Sequence, residues 1–506
     1  MIEFLGAPIL VEPGLRAREA EARWESELSV RQRRLLVGEV NAGLLAGRGR
    51  PLDVSVELEG VPLDGGATVR FAGDADGDAV ARVVRLRADD APAPAPSVRE
   101  RFERRLPLTY DRLRAAALTG RVSRPLVRDD GAVRSRIADA APTRAGAPAS
   151  VLVGMHWLEL GGAETWAVRT VEQVAEADLL PVVVVDRESR HPLLLGEIFA
   201  RVLFVPVTGL AQAEADEVLR GIAERFALRG VLVHHNAWLY ERAAWLATAR
   251  PELPIVDSLH IVEDGYGGFP AFSVRADAWI ERHHVISPAL TDWLVDRHGV
   301  DAAKVVMAPL ARLTVDGGAA PAERDPAAPF TIAYVGRMAR QKRPYLFVRL
   351  VHRLRRAGVA VQAIMHGDGE LDQTTRTLIR RHGLDDVVEL RPHTRPVADT
   401  LAEADLLVVS SQNEGLTLTT FEAVAAGVPV LSADVGSQSS VVASAALVPA
   451  PARAFLREAT RVIRELAGSE DARRAVWEDE RRRVEKLSTH EDATTWMREV
   501  IARWAA

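Results

Sequence analysis

From about residue 150 onward the chain repeats one pattern: a short apolar run, a polar turn, then a longer stretch with helical spacing. The apolar runs are 151–155 (VLVGM), 181–185, 202–205, 230–234, 255–258 and 284–286. Runs so nearly continuous, flanked by helical stretches, are what parallel strands buried on both faces look like. After residues 319–329 (AAPAERDPAAP), which read as a linker, the same grammar restarts. Its runs are 331–335, 361–365, 387–390, 406–409 and 430–432, with helices expected over 345–357 and 371–382. No repeat of 20–50 residues appears, so this is no solenoid. The pattern predicts two successive α/β domains built from right-handed βαβ units. Such sheets bind ligands beyond the carboxyl ends of their strands, which places a site in the cleft between the domains.

The first 150 residues read differently. Residues 31–45 predict a short helix, and 52–58 (LDVSVEL), 67–71 and 79–86 alternate as half-buried strands do. Gly65-Gly66 and the run 73–78 between them are turn chemistry. Asp74, Asp76 and Asp78 invite a calcium reading, but the glycine is misplaced for an EF-hand loop, so a hairpin turn is expected. Residues 91–96 (APAPAP) form a polyproline-like spacer. The stretch 99–144 is rich in arginine. Contact with anionic lipid headgroups is one reading of it, and a solvated, salt-bridged connector is the other. The expected organisation is thus 1–95 as a β-rich accessory module and 96–149 as a basic connector. Then follow 150–318 as a first Rossmann-like domain, 319–485 as a second, and 486–506 as a helix packing back on the first.

Composition narrows the chemistry. The chain has 506 residues, too many for one core. It contains no cysteine, which removes disulfides, thiolate ligands and a cysteine nucleophile. A net charge of -6 gives no reason to expect nucleic acid. No apolar run is long enough to span a bilayer, and Glu3 with no basic segment argues against a signal peptide. A cytoplasmic protein is expected, with the inner face of the membrane open through the basic segment.

Five βα turns carry candidate chemistry. The strongest signal is the run 413–422 (NEGLTLTTFE), with Glu414 on the loop after a strand and Glu422 about a turn into the next helix. Between them, the backbone N–H groups of Leu416, Thr417, Leu418 and Thr419 lie near a helix N-terminus, which favours phosphate or a sugar oxygen. The pair read alone fits a loop cap and a surface helix residue equally well. Gly336-Arg337 and Lys342 follow the first strand of the second domain. A fork and a point charge there suit a diphosphate, whose developing charge they would stabilise. Gly161-Gly162-Ala163-Glu164 and Gly367-Asp368-Gly369 are glycine turns after strands, weak alone. His260 lies just past the strand 255–258, at the cleft edge. The pairs His234-His235 and His283-His284 hint at metal, but neighbours on a strand point to opposite faces, so no metal site is expected.

In this order, from the Gly-Gly turn through E-x7-E to the trailing 426–430 (AGVPV), the residues resemble the retaining glycosyltransferases of family 4 with the GT-B fold. The resemblance spans roughly 150–504. It implies that Glu414 binds the donor hexose and stabilises a cationic transition state, while Glu422 holds ribose hydroxyls. Arg337 and Lys342 would neutralise the diphosphate. Gly161, Gly162, Gly336, Gly367 and the backbone of Gly415, Leu416, Thr417 and Leu418 would approach the donor. His393 and Thr394 would contact the base, and His260 would line the reaction centre. It further implies a UDP- or GDP-sugar donor, a glycan or lipid-linked acceptor in cell-surface glycan synthesis, and no cofactor or metal. Three positions depart from the family: Ala308-Pro309-Leu310, Gly415-Leu416-Thr417 and Gly436-Ser437 stand where other residues are common, so the transferred sugar is left open. The first 150 residues lie outside the resemblance, and self-association or acceptor docking is their expected role. A sugar-nucleotide epimerase and a non-catalytic scaffold are the alternatives. An epimerase would turn over donor without acceptor.

Overall fold

The computed structural model describes residues 2–4, 7–9, 30–46, 53–59, 66–72 and 80–85, scattered positions between 101 and 140, and then 141–158, 161–188, 195–261, 267–310, 320–325 and 327–506. The acidic run 73–78, the spacer 91–96 and most of the basic segment 99–144 lie outside the described residues.

The first α/β domain is a seven-stranded sheet in the order β12-β11-β10-β9-β6-β7-β8. Its strands are β6 (Ala149–Met155), β7 (Leu180–Val185), β8 (Leu203–Pro206), β9 (Ala227–His234), β10 (Ile255–Leu259), β11 (Arg282–Val285) and β12 (Val305–Met307). Every neighbouring pair is parallel. The second domain orders its six strands β15-β14-β13-β16-β17-β18, again all parallel. These are β13 (Phe330–Val335), β14 (Val361–His366), β15 (Val388–Arg391), β16 (Leu406–Val409), β17 (Val430–Ala433) and β18 (Leu447–Val448). The orders run 3-2-1-4-5-6-7 and 3-2-1-4-5-6, so with every strand parallel the direction in which strands are added reverses between β6 and β9 and again between β13 and β16. A crevice opens at the strand ends where the order reverses.

The unbroken apolar runs explain the burial. Val182, Val183 and Val184 are fully buried, as are Val151, Leu152 and Val153, because helices cover both sheet faces. In the second domain the helix Glu470–Ser488 braces the unit that carries Glu414. Its Trp477 Nε1 donates to Val424 O at 2.8 Å. Its Glu480, fully buried, accepts from Val430 N at 2.9 Å, and burial pushes that carboxyl well above the usual carboxylate range. The last helix, Ala493–Ala505, returns to the first domain. There Gln173 Nε2 donates to Thr494 O at 2.8 Å, and Trp496 stacks on His284.

In the N-terminal segment, β1 (Ile2–Phe4) pairs with β2 (Ala7–Ile9), and β3 (Asp53–Glu59), β4 (Gly66–Ala72) and β5 (Val80–Arg85) form an antiparallel sheet. The helix between them, Val30–Ala46, is not set apart from the α/β domain. Leu36, Val37, Val40, Leu44 and Leu45 are buried in the core that it shares with that domain. Its Asn41 Nδ2 donates to Phe204 O at 3.1 Å, and Arg225 donates to Leu44 O. The helix therefore covers the edge strand β8, which would otherwise expose unpaired backbone. No described helix is long and apolar enough to cross a membrane.

Candidate functional site

Gly161, Gly162, Gly336, Arg337 and Glu414 follow the strands at the two reversal points, while His260, Gly367, His393 and Thr394 follow neighbouring strands. In the second domain, Gly336-Arg337 follows β13 and Glu414 follows β16, so adjacent strand ends deliver both loops to one place. Lys342 Nζ lies 2.6 Å from Glu414 Oε1, and Glu414 is 5% exposed. The two loops are tied together by backbone and amide bonds. Gln341 Nε2 donates to Asn413 O at 2.8 Å, Gln412 N to Gln341 O at 2.7 Å, and Ser410 Oγ to Lys342 O at 3.0 Å. Arg343, which the sequence reading passed over, is the peg. Buried and in the left-handed region (φ 49), it donates to the carbonyls of Ser410, Ser411 and Ala450 at 2.6–2.8 Å. Arg337 is exposed, and no ion pair or hydrogen bond of its guanidinium is seen among the described residues. Among the described residues no carboxylate pairs with it.

The helix Leu418–Ala425 starts at its cap Thr417, which makes no side-chain capping bond. The Thr417 hydroxyl instead accepts from Gln438 Nε2 at 2.7 Å, and the same amide donates to Gly415 O at 3.1 Å. Gln438 is a second residue that the pattern did not mark. The first-turn N–H groups of such a helix favour an anion. Glu422 is exposed on this helix, and partial burial raises its carboxyl above the usual range. Leu416 is buried, whereas Leu418 is exposed.

Backbone proximity makes two glycines obligatory. A Cβ at Gly415 would collide with the carbonyl oxygen of His260 in the other domain, so only glycine lets these two loops touch. Gly436 has φ 54, and a Cβ there would collide with Glu414 O. Across the same junction Ser287 Oγ and Ser437 Oγ are 2.6 Å apart, and Gly162 faces the Leu418 side chain. The turns at Gly336 and Gly367 abut. Next to them, Asp368 Oδ2 accepts from His393 N at 2.8 Å and His393 Nδ1 at 2.5 Å, which lowers the Asp368 carboxyl. His393 and Thr394 are exposed, on the turn after β15.

In the first domain Gly161 caps the helix Gly162–Glu176. Glu164 in its first turn accepts from Trp157 Nε1 at 2.7 Å and faces His156 Nε2 at 3.1 Å. Burial alone would raise the Glu164 carboxyl, but these partners outweigh it and hold it at about 2. His260 follows β10 and is 5% exposed. The expectation that paired histidines point apart holds for His283 and His284 inside β11. His283 meets Asp257 and Asp277, while His284 meets Ser258 and Ala308. His234 Nε2 meets Thr170 Oγ1 at 2.9 Å, while His235 lies past the end of β9 with φ 54, where strand alternation no longer applies. Its ring stacks on Phe269 and meets His260 edge-on. Among the described residues no group of three or more His, Asp or Glu is disposed to hold a metal.

Known proteins are similar to this chain. The family of the glycosyl transferases group 1 matches residues 329–465, the domain that carries Arg337, Lys342, Glu414 and Glu422. The D-inositol 3-phosphate glycosyltransferase of Kribbella flavida is 30% identical over 292 residues, which covers 50% of this chain and 69% of that protein. The chain belongs to the group 1 glycosyl transferases. The enzyme of the same name from Kineococcus radiotolerans is 30% identical over 246 residues, covering 42% of this group 1 chain and 55% of its relative. The chain thus spans about half the length of some of the curated relatives it matches. Among solved structures, Anabaena HepE in complex with UDP is similar at a TM-score of 0.51 and 16% identity, over 70% of this chain and 98% of that one. That likeness speaks to the fold, two parallel-sheet α/β domains of the GT-B type.

Proposed function

We propose that this group 1 chain is a retaining, metal-independent glycosyltransferase that moves a hexose from a UDP- or GDP-sugar to a hydroxyl acceptor. The observation that carries the reading is the Lys342–Glu414 pair, set beside a helix N-terminus and touching the His260 loop across the domain junction. A nucleoside diphosphate needs cations and free N–H groups, and Lys342, the exposed Arg337 and the first turn of Leu418–Ala425 would supply them. Glu422 lies on the same helix, where a carboxylate can take both ribose hydroxyls. Glu414, held by Lys342, places negative charge where the anomeric carbon becomes cationic.

Retention follows from attack on the face that the diphosphate leaves. The C1–O bond to phosphate breaks, the acceptor oxygen bonds to C1, and the acceptor proton passes to the departing phosphate oxygen. With two side-chain cations available, no metal is needed to stabilise the leaving group. Because the similar curated enzymes are named for D-inositol 3-phosphate, a phosphorylated polyol is the first acceptor to try. A cytoplasmic role in cell-surface glycan synthesis, lipid contact through the basic segment 99–144 and self-association through the N-terminal segment belong to the same proposal.

The test is a thermal-shift screen against UDP, GDP, ADP and their sugars, followed by turnover with and without acceptor. One preferred nucleotide that raises the melting point supports a donor site, because a ligand that binds only the folded state stabilises it. Donor epimerised without acceptor would favour the epimerase alternative, and silence to every nucleotide would favour a scaffold.

A further inference from the structure

Beneath the His260 loop lies a buried chain of polar groups whose hydrogens can be assigned by counting. Ser258 Oγ has three neighbours: Trp166 Nε1 at 3.1 Å, His260 Nε2 at 3.0 Å and His284 Nδ1 at 2.8 Å. A hydroxyl donates once and accepts twice. The indole can only donate, so it occupies one acceptor position. His284 Nε2 lies 2.8 Å from Ala308 O, which can only accept, so Nε2 carries a hydrogen. Burial lowers His284 to about 4 and His260 well below its ordinary value, so both rings are neutral near pH 7. The Nδ1 of His284 is then bare and takes the Ser258 hydrogen. One lone pair of Ser258 remains, it faces His260 Nε2, and that nitrogen must bring the hydrogen. The opposite assignment would set a bare His284 nitrogen against an oxygen lone pair at 2.8 Å.

His260 is thereby left with a protonated Nε2 and a bare Nδ1. No hydrogen bond of that Nδ1 is seen among the described residues. Its neighbours do not compete for it. The His260 backbone N–H donates to His235 Nε2 at 3.2 Å, so His235 spends its bare nitrogen there. Trp496 stacks on His284 at 5.2 Å between ring centres and holds that ring in place. A packing role alone would be met by either tautomer of His260, whereas this network closes in one way only.

We infer that Ser258 and His284 are positioning residues that hold His260 as the Nε2–H tautomer, so that its Nδ1 accepts one hydroxyl of the bound sugar or acceptor. The inference rests on the proposed reading for the identity of the ligand, but not for the state of the ring. The nitrogen selects for a group that gives a hydrogen. A hydroxyl fits, while fluorine, an ether or a carbonyl in its place meets a lone pair with a lone pair.

The experiment begins with the protein alone, histidine-selectively labelled with nitrogen-15, and His260 assigned by loss of its signals in His260→Gln. Between pH 6 and 8 the His260 signals should show a protonated Nε2 and an unprotonated Nδ1. A protonated Nδ1, a mixture of tautomers or an imidazolium overturns the inference. Ser258→Ala should convert the ring to a mixture and lower kcat/KM by about tenfold, the size of one lost hydrogen bond, with Ser258→Thr restoring most of it. Donor and acceptor analogues in which single hydroxyls are replaced by fluorine separate the two sources of the hydroxyl. For the one that meets Nδ1, the Ser258→Ala penalty should vanish. An equal penalty on every analogue means that Ser258 only stabilises the fold, and overturns the positioning role. Absence of all sugar transfer by the wild type would refute the transferase reading, and the ring's tautomer would still be decided by its own signals.

Discussion

Lys342→Met separates a cation that acts on substrate from one that merely neutralises a buried acid. The side chain keeps its length and loses its charge. Two consequences follow, and they differ in size and in assay. The first concerns stability. At 2.6 Å and an effective dielectric of about 20, the attraction between Lys342 and Glu414 is about 6 kcal/mol before desolvation is subtracted. The lysine side chain is 24% exposed, so water screens part of that, and desolvation of the buried carboxylate offsets more of it. A net loss of roughly 1–3 kcal/mol is therefore expected on unfolding, after discounting for screening. The second concerns the reaction. If Lys342 meets the departing diphosphate, its loss removes charge stabilisation that grows in the transition state, and kcat falls by roughly 10²–10³. Lys342→Arg keeps the charge and separates its effect from that of geometry. The assay is kcat at saturating donor, measured beside urea unfolding of the same samples. A variant with lowered stability and an unchanged kcat would refute the catalytic assignment and leave a structural ion pair.

Four further outcomes are expected. Arg337→Ala should lower kcat/KM by on the order of 2–4 kcal/mol of transition-state stabilisation without changing the melting point, since its guanidinium makes no hydrogen bond or ion pair among the described residues; a loss of stability of similar size would contradict that. Glu422→Gln should weaken nucleotide binding by roughly tenfold in titration calorimetry and spare kcat, and equal affinity would remove Glu422 from the ribose site. Gly415→Ala should push the His260 loop away and abolish transfer while nucleotide binding to the second domain persists, read by calorimetry and small-angle scattering; wild-type activity would show that the two loops need not touch. The buried His283 is raised to about 9, burial opposing it and Asp257 and Asp277 prevailing. Its contribution is therefore complete below about pH 6.5 and is lost as pH rises through about 9, on the order of 3 kcal/mol. His283→Gln should flatten that part of the unfolding profile between pH 6 and 10, and an unchanged slope would show that His283 is not the group titrating.

The fold and half of the site were legible for one physical reason: each sits in a stretch of chain short enough to carry its own signal. Strand runs such as 181–185 are apolar because both sheet faces are covered, and Glu414, Arg337 and Lys342 occupy turns directly after such runs. What joins distant segments was silent. Arg343 looked like one more basic residue, because its partners Ser410 and Ala450 lie far along the chain. Trp166 and Ser258 are 92 residues apart, and neither has a local pattern that declares a hydrogen bond. Alternation was no guide to His235, because it applies only while a strand lasts and β9 ends one residue earlier. The helix Val30–Ala46 was foreseen as a helix, yet its partner surface on β8 and on the helix Gln212–Arg225 could not be read from its own spacing.

The chain passes between the two domains twice, once after β12 and once between the helices ending at Ser488 and beginning at Ala493. The two passages meet at one point among the described residues, where Ala493 N donates to Pro309 O at 2.9 Å. That bond ties the second crossing to the first-domain side of the first. A rotation that opened the junction would part Gly415 from His260 and Ser437 from Ser287 together. Because the second crossing continues into the helix whose Trp496 stacks on His284, cutting the chain after about residue 488 would remove the tie and loosen the histidine network in one stroke.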